Sequence, residues 1–121
     1  MAIDPRGADL RRFLDNGEPG EVVMINLLRF AEGGREQYEE YARAIAPFLT
    51  KVGAEITYAG IAGEALVAED GQAWDAIVIA RYPSRKAFSM MVADPGYQAI
   101  THLRTKALRE TVLQPTTPWR V

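Results

Sequence analysis

EVVMINLLRF, residues Glu21 to Phe30, carries apolar side chains on both of its faces. Its Val, Ile and Leu content, and the turn residues Pro19-Gly20 before it and Gly33-Gly34 after it, predict a strand. Alternate residues of a strand point to opposite sides of the sheet. Val22, Met24, Leu28 and Phe30 therefore share one side with Asn26, while Val23, Ile25 and Leu27 share the other, followed by Arg29. The stretch Trp74 to Tyr82 repeats the pattern, with Ala76, Val78 and Ala80 opposing Ile77 and Ile79. An antiparallel sheet with one wet face should alternate apolar and polar residues. Here both faces are greasy, so both call for cover.

From Arg35 the apolar period becomes helical: Tyr38, Tyr41, Ala42, Ile45, Phe48, Leu49 and Val52 recur at spacings of three and four. Pro47 should kink this helix or end its hydrogen bonding a turn early, and Gly53 is placed to stop it. A second strand is expected from Ala54 to Val67, interrupted by Gly60 and Gly63, and then a turn at Glu69-Asp70-Gly71. After the third strand, Ser84 should cap a helix whose stripe is Ala87, Phe88, Met91 and Val92, with Met90 and Met91 as packing. Asp94-Pro95 starts a further helix carrying Tyr97, Ile100, Leu103, Arg104 and Ala107 on one side, and Thr111 to Thr117 is the last strand. At the front, Asp4-Pro5 predicts a short helix capped by Asp4, with Leu10, Phe13 and Leu14 resting on the edge of the main domain.

The order is β-α-β-β-α-β: an α+β, ferredoxin-like domain with a four-stranded antiparallel sheet and helices on one face. Residues 1–20 form an N-terminal helical extension and 21–118 the domain itself. Leaving the second face of the sheet wet would forgo about 1.5–3 kcal/mol per large aliphatic side chain. The expected cover is a second copy laid sheet against sheet, a homodimer; the alternative is the chain's own front helix or tail.

The 121 residues are enough for one domain and carry 14 Lys+Arg against 16 Asp+Glu, a net charge of −2. No basic excess is available to displace phosphate counterions, so nucleic acid is not an expected partner. With no cysteine, thiolate catalysis, disulfides and iron–sulfur clusters are excluded. No apolar run approaches the ~20 residues of a membrane span, and the opening MAIDPRGADLRR lacks a signal-peptide core, so a cytoplasmic protein is expected. One histidine cannot build a His cluster, and no metal or other cofactor is implied. Phosphate-cradling glycine loops, G-x-S-x-G and H-E-x-x-H are all absent.

Four stretches together carry a resemblance: VVMINLLRF (Val22 to Phe30), YEEYARAIAPFLTKVGAEITYAG (Tyr38 to Gly60), WDAIVIARYPSRKAFSMM (Trp74 to Met91) and DPGYQAITHLRTKAL (Asp94 to Leu108). An Asn in the first strand, W-D opening the third, Y-P-S after it and D-P-x-Y-x6-R in the last helix make the combination specific. Over Glu21 to Pro118 the chain resembles the domain of unknown function 1330 family, within the dimeric α/β-barrel superfamily. The resemblance implies a ferredoxin-like protomer and a homodimer whose two sheets form a barrel. Relatives in that superfamily include cofactor-free monooxygenases of the antibiotic-biosynthesis type, muconolactone isomerases and haem-degrading enzymes, with the ligand commonly between sheet and helices. The family carries no single reaction to transfer.

Asn26 is the polar residue on an otherwise apolar strand face and could orient a ligand carbonyl or carboxylate, or bond to its neighbours. Arg104 shares the sheet-facing side of its helix with Tyr97, so its guanidinium needs a partner; a ligand carboxylate or Asp75 would serve. Tyr38, Tyr41 and Trp74 are candidates for the pocket wall, with Tyr41 or His102 as the proton-moving group. His102 lies about 200° around the helix from Arg104, so the two do not share a face. The expected activity is binding of an apolar or aromatic small molecule with one polar end, with cofactor-free oxidation or isomerisation as its chemistry. The alternative is a non-catalytic sensing or interaction module.

Overall fold

The strand expected at Glu21 to Phe30 is β1 (Val22–Phe30), an interior strand of the sheet in the computed structural model, which describes residues 3–17 and 19–121. The remaining elements are α1 (Gly7–Asp15), α2 (Gly34–Lys51), β2 (Glu55–Ile61), β3 (Ala76–Tyr82), α3 (Arg85–Ala93), α4 (Pro95–Gln98), α5 (Thr101–Ala107) and β4 (Leu108–Thr116). The four strands run in the order β2-β3-β1-β4, every neighbouring pair antiparallel. This is the ferredoxin-like α+β arrangement that the element order predicts.

The register settles which residues share a face. Met24 opposes Ala80, and Asn26 opposes both Val78 and Leu113; Ile25 opposes Ile79 and Gln114, and Leu27 opposes Ile77 and Val112. The first set looks at the helices. Val22, Met24, Ala80 and Tyr82 join Tyr41, Ile45 and Leu49 of α2 and Phe88 and Met91 of α3 in one core, while Leu28, Ala76, Val78, Ala107 and Leu108 form a second. Val23, Ile25, Leu27, Ile77 and Ile79 lie half-buried on the opposite face, and among the described residues neither end of the chain covers them. α1 rests instead on α3, Phe13 edge-on to Phe88 at 5.3 Å, and Trp119 stands almost fully exposed.

Local signals explain most boundaries. Ser84 accepts the Ala87 amide at 3.0 Å and Asp94 accepts that of Gly96 at 2.8 Å, each capping a helix as expected. α2 ends with Gly53 at φ +75°, its N–H donating to Thr50 and the Ala54 N–H reaching back to Leu49, the two bonds of a Schellman motif. α2 carries Pro47 on its exposed side, where water can take the carbonyl that the ring leaves unpaired, and continues to Lys51. Other expectations need correcting. The second strand stops at Ile61 rather than Val67, since β3 begins at Ala76, two residues later than expected, and pairing beyond it among the described residues is the single bond from the Ala62 N–H to the Asp75 carbonyl at 2.9 Å. Met90 lies exposed, off the stripe that buries Met91. Asp4 does not cap α1; Arg6 is the cap residue, paired with Asp9 through its backbone N–H and guanidinium.

Candidate functional site

Two neighbouring chambers lie between sheet and helices, of about 260 Å³ and about 240 Å³. Asn26, Tyr41, Tyr82 and Arg104 line both. The first chamber is otherwise largely aliphatic, walled by Leu28, Ile45, Leu49, Val78 and Ala80, and reaches Ile56 and Ile61 on the exposed edge strand β2, with Arg35 and Glu39 of α2 also on its wall. The second lies under α3, α4 and α5 and is more polar, with Gln98, Thr101, Asp4 and Pro5 added to the shared wall.

Arg104 dominates the electrostatics. Only 6% of the residue is exposed. Its Nη1 donates to the Ile3 carbonyl at 2.6 Å and to Asp4 Oδ1 at 3.1 Å. Its Nη2 is buried with no hydrogen-bond partner among the described residues. An unpaired buried guanidinium nitrogen is costly, because it has given up water and received nothing back. Asp75 does not serve Arg104; it accepts the Phe30 amide at 2.8 Å instead, at the far end of β1. The actual carboxylate partner, Asp4, comes from a hundred residues away.

Tyr38, Tyr41 and Tyr82 lie within the electrostatic reach of this cation. Tyr41 and Tyr97 hydroxyls lie 3.0 Å apart and hydrogen-bond. Burial pushes the Tyr38 phenol up to about 12, against the opposing pull of Arg104. Burial likewise raises Tyr41, helped by the Tyr97 hydroxyl, and raises Tyr82. All three stay protonated at neutral pH and can donate to an oxyanion. Asn26 Nδ2 donates to the Val78 carbonyl at 3.1 Å, across the β1–β3 pair.

The structure thus brings Asn26, Tyr38, Tyr41 and Arg104 to one cavity, and leaves two candidates outside it. His102 is exposed on α5 and lines neither chamber, because its position two residues before Arg104 turns it away from the sheet. Trp74 also lines neither; it precedes β3 and lies beneath the Arg29 guanidinium, 4.8 Å from ring centre to carbon. Tyr82, Tyr97 and Asp4 join the chamber walls beyond the residues that the sequence points to. Tyr82 was legible, since it follows Ala76, Val78 and Ala80 on the helix side of β3, and Tyr97 shares the face of Arg104. Asp4 had no sequence signal. Among the described residues no cluster of His, Asp or Glu suits a metal ion, and no helix is long and apolar enough to cross a membrane.

Fold and cavity together define a small ferredoxin-like α+β protein with an apolar pocket walled at one end by tyrosines and an arginine. The chain belongs to the family described as domain of unknown function (DUF1330), whose profile matches residues 28–114. It is similar to a solved protein of unknown function from Rhodopseudomonas palustris, 28% identical, covering 98% of each chain with a TM-score of 0.88. A dimeric ferredoxin-like protein of unknown function from Thermobifida fusca is 16% identical, covering 84% of this chain and 93% of that one, with a TM-score of 0.56. A candidate antibiotic biosynthesis monooxygenase from Bacteroides thetaiotaomicron is also 16% identical, covering 81% and 89%, with a TM-score of 0.57. No curated protein matches the chain.

Proposed function

We propose that this protein is one half of a homodimer that binds an apolar or aromatic small molecule with an anionic end. The apolar body would fill the first chamber, and the oxyanion would meet Arg104. Arg104, which lines both chambers and keeps a buried Nη2 with no partner among the described residues, is the observation that carries this reading. A bound carboxylate or enolate would complete that nitrogen's hydrogen bonding and gain the strength of a charge-assisted bond. Tyr38, Tyr41 and Tyr82 support it, being neutral donors near the same cation.

The same donors are what a cofactor-free oxidation or isomerisation uses to hold a developing enolate. Proton abstraction is less well provided for: the buried tyrosines are held protonated, and His102 lies elsewhere. This favours binding as the primary activity, with turnover confined to substrates that ionise readily on their own. A non-catalytic sensor would share the pocket and show no turnover.

Thermal unfolding tests the binding reading. Phenylacetate, 4-phenylbutyrate and decanoate are compared with their neutral amides. At about ten times Kd a ligand should raise Tm by about 5 °C or more. Acids that stabilise more than their amides, with the difference lost in Arg104→Gln, bear the reading out. Equal shifts for acid and amide, or no shift with any of the acids, overturn it.

A further inference from the structure

The segment ahead of α1 is tied to the same arginine that the proposed ligand needs. The Ile3 carbonyl and the Asp4 carboxylate hold Arg104 Nη1, and Asp4 Oδ2 accepts from Thr105 Oγ1 at 3.0 Å. Asp4 and Pro5 form part of the second chamber's wall. Residues 3–6 carry no helix or strand of their own, and the Asp4 side chain is half exposed. Ile3 anchors the segment by packing half-buried against the second core, and beyond it the attachment of Asp4 and Pro5 lies in a few polar contacts, those to Arg104 foremost.

We infer that residues 3–5 act as a removable strap over the second chamber, with Asp4 as an internal counterion that an incoming anion displaces from Arg104. The inference rests on the binding reading above and adds how the site is closed. One guanidinium faces two carboxylates once the ligand arrives, and like charges sharing one cation repel. The ligand's oxyanion meets the buried Nη2, where the site is dry and the bond strong. Asp4 meets Nη1 from a half-exposed position, where water readily replaces the arginine. Asp4 is therefore the carboxylate that leaves. Release opens the second chamber, whose Gln98 and Thr101 then face the ligand's polar end.

The chain has no cysteine, so a nitroxide on Pro5→Cys is a unique reporter of the strap. In the empty protein the label should be immobilised, and phenylacetate, 4-phenylbutyrate or decanoate should shorten its rotational correlation time about twofold or more, the amides leaving it unchanged. Asp4→Asn, a half-exposed change that the fold should tolerate, should free the label without ligand and tighten binding of the acids about three- to tenfold. Arg104→Gln should free it as well. A label equally mobile in the empty parent and in Asp4→Asn overturns the strap. So does a label that stays immobile while Tm reports a bound acid. If none of the acids moves Tm, the binding reading fails and the displacement proposal falls with it, even where Asp4→Asn still frees the label.

Discussion

Tyr38, Tyr41 and Tyr82 pay for their place in the cavity wall when the solution turns alkaline. Their folded pKa values lie above the ordinary 10.0, Tyr38 at about 12, because burial penalises the phenolate. A group raised on folding contributes stability that is intact below its unfolded pKa and is lost as pH rises toward the folded one. Stability should therefore hold up to about pH 10 and fall from there toward pH 12, where the Tyr38 share is spent. Tyr38→Phe should flatten part of that decline, measured by denaturant unfolding below pH 10 and near pH 12. An unchanged slope would mean that the Tyr38 phenol ionises as freely folded as unfolded. At neutral pH the same residue should matter to ligands instead, with Tyr41→Phe and Tyr38→Phe each weakening the acids several-fold as a donor is lost.

At the scale of elements, the approach of α2 to the α5–β4 junction is the tightest joint. Gly34, the first residue of α2, is buried, and a Cβ built on it would collide with the Ala107 carbonyl, which already accepts the Ala31 amide at 2.8 Å. Gly34→Ala should cost about 1–3 kcal/mol, since backbone rather than a flexible side chain must move. Gly7→Ala meets nothing within 4 Å and should stay within about 0.5 kcal/mol of the parent, so paired thermal unfolding isolates the joint. Legibility in the sequence follows the same division between local and distant causes. Ser84, Asp94 and Gly53 announce helix ends through bonds to residues two to four positions away, and those ends fall where the sequence puts them. Strand limits depend on partners instead. β2 ends at Ile61 because its ladder with β3 closes at Ala76, and the interruptions at Gly60 and Gly63 do not by themselves say where between or beyond them the strand stops. The site divides likewise: Asn26 and Arg104 are visible as polar residues on apolar faces, whereas Asp4 reaches Arg104 only through the completed fold.

For the whole molecule, the open face of the sheet carries the remaining argument. Ile25 lies between Ile79 and Gln114, and Leu27 between Ile77 and Val112, in the middle of a face that no other described part of the chain covers. Charged pairs frame it: Arg29 with Glu110 at 2.6 Å, and Arg81 with Glu55 at 3.1 Å and Glu21 at 3.5 Å. An apolar centre with a polar rim is the anatomy of a protein interface. Two-fold pairing would remove the aliphatic centre from water in both copies at once, at roughly 25 cal/mol per Å². Light scattering after size exclusion should accordingly return twice the 13.4 kDa of a single chain. Ile25→Asp places a carboxylate at the centre of that contact, where desolvation without a partner costs several kcal/mol, so it should shift the mass to the single-chain value at micromolar concentration. The cavity faces the other side of the sheet, so phenylacetate should still raise the Tm of the variant. A parent protein that elutes at the mass of one chain would instead leave these aliphatic side chains in water and remove the physical reason for pairing.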